Sequence, residues 1–118
     1  MKFISAQMHG ALDYVTAFLL LAMPYMLHYE TGTIAGRIFI ILGVSAVCYS
    51  LITKYEFGIL NIIPMQLHLV LDVVSGTLLA ASPWLFGFHD VAYLPHLIIG
   101  LFEVVVAITT KTKAFYGS

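Results

Sequence analysis

The residues best suited to chemistry are a histidine and an aspartate that recur with the same spacing in both halves of the chain. His9 and Asp13 stand four residues apart, and His68 and Asp72 repeat the pair 59 residues later. Residues at positions i and i+4 share one face of a helix, so each pair projects from one side. Imidazole and carboxylate groups ligate divalent metals such as zinc, and histidine also exchanges protons near neutral pH.

Three interpretations of these four residues follow from their chemistry. In the first, which is the leading hypothesis, two imidazoles and two carboxylates bind a divalent metal ion or shuttle protons. In the second, the two histidines ligate haem b from opposite sides, as in an electron-transfer protein, with the aspartates as neighbours. In the third, the aspartates orient the histidines in a hydrogen-bond network that joins two helices of a structural or accessory membrane subunit.

The composition is that of a membrane protein. Of 118 residues, 61% are hydrophobic and 9% are charged, whereas soluble domains have about 45–50% apolar and about 25% charged residues. A soluble domain of this size could not bury so much apolar surface, so lipid is the predicted solvent. The net charge of −1 provides no basic patch for nucleic acid. Cys48 is the only cysteine, which excludes an internal disulfide and a cysteine-based metal site.

Four apolar stretches predict an all-α four-helix transmembrane bundle that forms one domain over residues 1–118. A membrane span needs about 20 residues, with a range of about 17–25. The lipid bilayer is the expected partner, and a homo-oligomer or a membrane-protein partner stays open. The stretches cover roughly Ile4–Leu27, Ile34–Ile52, Pro64–Phe86 and Leu94–Thr109.

The two halves predict two tandem two-helix repeats, about residues 4–54 and 63–112. Their first helices are offset by 59 residues and their second helices by 57, since Gly43 matches Gly100 and Thr53 matches Thr110. A repeat of two spans keeps its orientation, so a pseudo-twofold axis along the membrane normal relates the halves. Both His/Asp pairs then lie at one depth, and we expect them to converge.

The end of the third stretch resembles a known family. Ser82-Pro83-Trp84 closes the first helix of a two-helix unit, as in the SPW repeat family of small bacterial membrane proteins. The second half, about Gln66–Lys111, fits that pattern, whereas the first half departs from it and reads Met23-Pro24-Tyr25. The resemblance implies two transmembrane helices in each repeat and brings no established activity.

The residues of this motif have a structural interpretation. Pro24 and Pro83 lack an N–H group and are expected to end or kink their helices, next to Ser82 in the second repeat. Tyr25 and Trp84 follow the prolines and are expected to anchor the helix ends at the membrane interface.

Lysine placement predicts the orientation of the protein. By the positive-inside rule, the termini and the middle loop are cytoplasmic, because only Arg37 lies near the two other loops. The resulting prediction is a multi-pass protein of the bacterial cytoplasmic (inner) membrane, with the His/Asp pairs near its cytoplasmic face. The lysines that carry this prediction are Lys2, Lys54, Lys111 and Lys113.

Glu103 is a secondary candidate because it is the one acid near the middle of a predicted span. Acids within spans are rare and often functional, and the repeat partner of Glu103 is Ala46. A hydrogen bond to Ser45, Tyr49 or Ser75 is the structural alternative. The sequence has no nucleophile–base arrangement, phosphate loop or dinucleotide motif, which argues against an enzyme.

Overall fold

The computed structural model describes residues 4–28, 32–53, 59–60 and 62–110. Four α-helices form the fold of these residues, and their bounds agree with the four predicted stretches to within two residues. The all-α four-helix prediction is therefore confirmed, whereas the lysines that predict the orientation lie outside the described residues. The helices are α1 (Ala6–Met26), α2 (Ile34–Leu51), α3 (Met65–Leu85) and α4 (Leu94–Ile108).

The prolines set the ends of α1 and α3, each of which stops two residues after its proline, Pro24 or Pro83. Proline has no N–H to donate to the carbonyl four residues earlier, which for Pro83 is the carbonyl of Leu79. The Ser82 hydroxyl donates to that same carbonyl at 2.7 Å. Ser82 thus replaces the hydrogen bond that Pro83 removes, which gives the Ser-Pro sequence a physical reason.

Each repeat is a helical hairpin that packs closely at a glycine. A Cβ atom at Gly100 of α4 would lie 2.5 Å from both Gly76 O and Ala80 N of α3. The equivalent Gly43 of α2 faces α1, where an added Cβ would lie 2.9 Å from the Leu21 side chain. Small residues at these positions let the backbones approach, as is typical of helix pairs in membranes.

Residues that are equivalent in the two repeats contact each other at both ends of the bundle. Phe39 and His96, offset by 57 residues, stack with ring centroids 4.1 Å apart, and His96 Nε2 donates to the Ala35 carbonyl at 3.0 Å. At the opposite end the rings of His9 and His68 meet edge-on, with centroids 5.4 Å apart. A twofold axis between the halves would produce both contacts.

The bundle is apolar at one end and polar at the other. Leu20, Phe39 and Leu79 are fully buried around the end where the helices of each hairpin are joined. The starts of α1 and α3 and the ends of α2 and α4 form the other end, which we call the polar end. The His/Asp pairs lie there.

Two of the helices are long and apolar enough to cross a membrane. They are α2 and α3, and α4 is apolar but shorter. Large apolar side chains such as Ile41, Val74 and Leu101 are exposed on the outside of the bundle, which suits contact with lipid. That all four helices cross the membrane stays a prediction.

Candidate functional site

The polar end brings together His9 and Asp13 of α1 with His68 and Asp72 of α3. One ligand atom from each residue lies within 4.8 Å of every other. His9 Nε2 is 2.6 Å from Asp72 Oδ2 and 3.0 Å from Asp13 Oδ2. His68 Nε2 contacts Asp13 Oδ2 and lies 3.3 Å from Asp72 Oδ2. We call these four residues the His/Asp cluster.

The cluster is largely shielded from solvent. His9 and His68 have no exposed surface, and Asp72 is 4% exposed. The side chain of Asp13 is 13% exposed and is the most accessible of the four. Two carboxylates in such surroundings need compensating charge or hydrogen bonds, because burial without them is costly.

Two threonine hydroxyls form hydrogen bonds with the Nδ1 atoms of the histidines, on the side of each ring away from the carboxylates. His9 Nδ1 lies 2.7 Å from Thr110 Oγ1, and His68 Nδ1 lies 2.7 Å from Thr53 Oγ1. Each threonine hydroxyl also donates to the backbone carbonyl four residues earlier in its own chain segment, at 2.5 Å for Thr53 and 2.6 Å for Thr110. Thr53 with His68 and Thr110 with His9 therefore make the same contacts, and the two threonines and the two histidines occupy equivalent positions in the repeats.

These bonds determine which histidine nitrogen carries a hydrogen. A hydroxyl has one hydrogen, and here it goes to the carbonyl, so each threonine oxygen accepts a hydrogen bond from Nδ1–H. The Nε2 atom of each histidine therefore faces the carboxylates with a lone pair when the ring is neutral. Lone pairs of nitrogen and carboxylate oxygen repel at these distances, so the cluster requires a proton or a metal ion between them.

Backbone contacts support both threonines. Ile4 N–H donates to the carbonyl of Thr109 at 3.0 Å, and Ile63 N–H donates to that of Ile52 at 3.0 Å. These bonds pair Ile4 with Thr110 and Ile63 with Thr53 as isolated β-bridges. Each threonine is thereby tied to the segment that enters the helix of its histidine.

Among the described residues of the site, Tyr49 is the one without a repeat counterpart. Its hydroxyl donates to Asp72 Oδ1, and its ring lies edge-on to His68 with centroids 5.0 Å apart. The equivalent position in α4 is Val106, which has no donor for Asp13. Sequence reasoning placed Tyr49 beside Glu103 and missed this contact.

The repeat could have revealed the threonines. Thr53 and Thr110 recur at the same offset as their helices and close them at the same end as the histidines. Threonine at the end of an apolar helix is common, however, and only the folded chain shows that its hydroxyl meets an imidazole.

The other predicted residues lie outside the cluster. Glu103 of α4 has a buried Oε1 with no hydrogen-bond partner among the residues that the structure describes, so the predicted bond to serine or tyrosine is not seen for this atom. Pro24, Ser82 and Pro83 are buried near the apolar end. Tyr25 and Trp84 are exposed there, as interfacial anchors would be.

The geometry does not fit a haem between the histidines. A porphyrin would have to separate the two rings, whose centroids are only 5.4 Å apart in edge contact. Both Nε2 atoms point at carboxylates, which occupy the position that haem iron would take.

Comparison of the whole sequence with protein families assigns the chain to one of them. A family model of the SPW repeat domain matches residues 7–110. The chain belongs to the SPW repeat family. SPW repeat proteins are membrane proteins, in agreement with the apolar α2 and α3. The matched range begins two residues before His9 and ends at Thr110, so it contains the whole cluster. No curated protein and no solved structure matches the chain.

Tyr49→Phe tests whether the buried carboxylate depends on its tyrosine. Removal of the hydroxyl leaves Asp72 Oδ1 without its donor, and we expect the free energy of unfolding to fall by about 1–3 kcal/mol. Unfolding in detergent micelles, followed by circular dichroism, measures this loss. Tyr25→Phe is the matched control, because Tyr25 is 67% exposed and its substitution should change little. Equal stability of both variants would contradict the assigned role.

Proposed function

We propose that this SPW repeat protein binds one divalent transition metal ion, of the zinc class, at His9, Asp13, His68 and Asp72. One observation carries the proposal: threonine hydroxyls engage both Nδ1 atoms, so both Nε2 atoms face the same two carboxylate oxygens. Metal-bound histidines in proteins characteristically donate the other ring N–H to a neighbouring group, which fixes the ring. Thr53 and Thr110 would supply that support here.

Charge balance supports a divalent ion. Two carboxylates and two neutral imidazoles carry a charge of about −2, which is costly in a dry interior. A divalent cation between them makes the site neutral. The four donors are imidazole nitrogen and carboxylate oxygen, the set that zinc and its neighbours accept.

The distances between donors are compatible with a small ion. Bonds of about 2.0–2.2 Å in a tetrahedral site place neighbouring ligand atoms roughly 3.3–3.5 Å apart. The 3.0 Å separation of His9 from Asp13 and the 3.3 Å separation of His68 from Asp72 are close to this value. The two other His–Asp separations, His9 to Asp72 and His68 to Asp13, are shorter and would lengthen when an ion enters.

The shorter separations favour protons as a second occupant. The 2.6 Å distance from His9 Nε2 to Asp72 Oδ2 is that of a strong charge-assisted hydrogen bond. With a proton on each Nε2, two imidazolium–carboxylate pairs would also make the cluster neutral. Metal binding and proton binding would then be two states of one site, in which the ion displaces the protons.

Metal content tests the proposal. Protein purified in detergent, loaded with zinc and dialysed, should retain about one zinc ion per chain, because four buried donors converge on one point. His9→Asn/His68→Asn should lose the ion. His28→Asn/His89→Asn is the matched control: it removes two exposed histidines, and asparagine tolerates the positive φ of His28. Equal zinc content in all three proteins, measured by mass spectrometry, would contradict the proposed site.

We also propose that all four helices cross the bacterial inner membrane, with both termini and the His/Asp cluster on the cytoplasmic side. The lysines at the termini and in the middle loop support this orientation. In the bundle, α1 and α3 start and α2 and α4 end at the polar end, so one orientation places the whole cluster on one side.

Reporter fusions test the orientation. Alkaline phosphatase joined after Ser118 should be inactive, because it would stay in the cytoplasm, and the same enzyme joined after Gly32 should be active. Green fluorescent protein at both sites provides the complementary readout. An active phosphatase after Ser118 would show that the orientation is reversed.

A further inference from the structure

The two aspartates of the cluster are equivalent in the repeat but are held differently. Asp72 is tied at both oxygens, since Oδ1 accepts from Tyr49 and Oδ2 lies 2.6 Å from His9 Nε2. Among the residues that the structure describes, Asp13 is contacted at Oδ2, by the two histidines. Val106 stands at the position equivalent to Tyr49 and has no phenol to donate to Asp13 Oδ1.

The hydrogen bond from Tyr49 limits how the Asp72 carboxylate can bind a metal ion. A carboxylate whose second oxygen accepts a strong hydrogen bond binds a metal through one oxygen only. Asp72 is thereby a fixed one-oxygen ligand. Asp13 lacks this restraint, so its carboxylate can rotate between one-oxygen and two-oxygen binding or move aside.

Asp13 is also more exposed to solvent than Asp72. The side chain of Asp13 is 13% exposed, against 6% for Asp72 and at most 1% for either histidine. The carboxylate that lacks the tyrosine is therefore also the more exposed of the two.

Building on the proposed metal site, we infer that the coordination position held by Asp13 is exchangeable, because its carboxylate moves aside for a water molecule or a small anion from solution. Metal sites with a purely structural role are closed by four protein ligands, whereas sites that act on a ligand keep one position for it. Here the rigid part of the site consists of His9, His68 and Asp72. Asp13 is the ligand that yields to the incoming group.

Cobalt(II) and azide provide the test. The visible absorption of cobalt(II) depends on the kind and number of its ligands, so replacement of the Asp13 carboxylate by azide changes the spectrum. The wild-type protein loaded with cobalt should show a saturable spectral change on titration with sodium azide. Sodium perchlorate at the same concentration, which coordinates poorly, should have no such effect.

Asp13→Asn and Asp72→Asn are a matched pair of variants, because the two positions are equivalent in the repeat. We expect Asp72→Asn to weaken cobalt binding about tenfold or more relative to Asp13→Asn, which keeps the three rigid ligands. Asp13→Asn should also bind azide more tightly than the wild type, because the anion restores the lost charge. Circular dichroism of each variant checks that its helices are formed.

These experiments test ligand exchange at Asp13 and metal binding by the His/Asp cluster separately. Cobalt binding with no azide response, or equal weakening by the two variants, would overturn the exchangeable position of Asp13 and leave the metal site standing. If either variant fails to fold, the azide response of the wild type still decides the matter. Absence of cobalt binding in folded wild-type protein would overturn the proposed function and this inference together.

Discussion

The site depends on one small constraint, the single hydrogen of a threonine hydroxyl. In Thr53 and Thr110 that hydrogen goes to a backbone carbonyl, so the oxygen can only accept from the histidine that faces it. Each imidazole is thereby fixed with Nδ1–H outward and Nε2 toward the carboxylates. The convergence of four donor atoms within 4.8 Å follows from this orientation. A valine at either position would preserve the shape and lose the constraint.

The site exists only where the two repeats pack against each other. The hydrogen bonds of both histidines cross between the repeats: His9 meets Thr110 and Asp72 of the second half, and His68 meets Thr53 and Asp13 of the first. Neither hairpin contains a complete site. In a bundle with an apolar exterior, these contacts are a specific reason for the two halves to pair, and ligand binding would stabilise that pairing by mass action.

Periodicity and duplication predicted the helices, their bounds and the residues of the cluster, because long apolar stretches and repeated His/Asp spacing are visible in one dimension. The roles of Thr53, Thr110 and Tyr49 could not be predicted in this way. Threonine and tyrosine are ordinary in apolar helices, and their partners lie in the other repeat, so only the packing of the halves identifies them. The inequality of Asp13 and Asp72 was hidden for the same reason, since it arises from Tyr49 and Val106 on helices that the repeat treats as equivalent.

X-ray absorption at the zinc edge tests the central claim most directly, because it identifies the atoms around the ion in the folded protein. For zinc-loaded protein in detergent we predict a first shell of nitrogen and oxygen at about 2.0–2.2 Å, with outer-shell scattering from two imidazoles. A shell without imidazole scattering would contradict the account, since it would mean that zinc binds somewhere other than between His9 and His68.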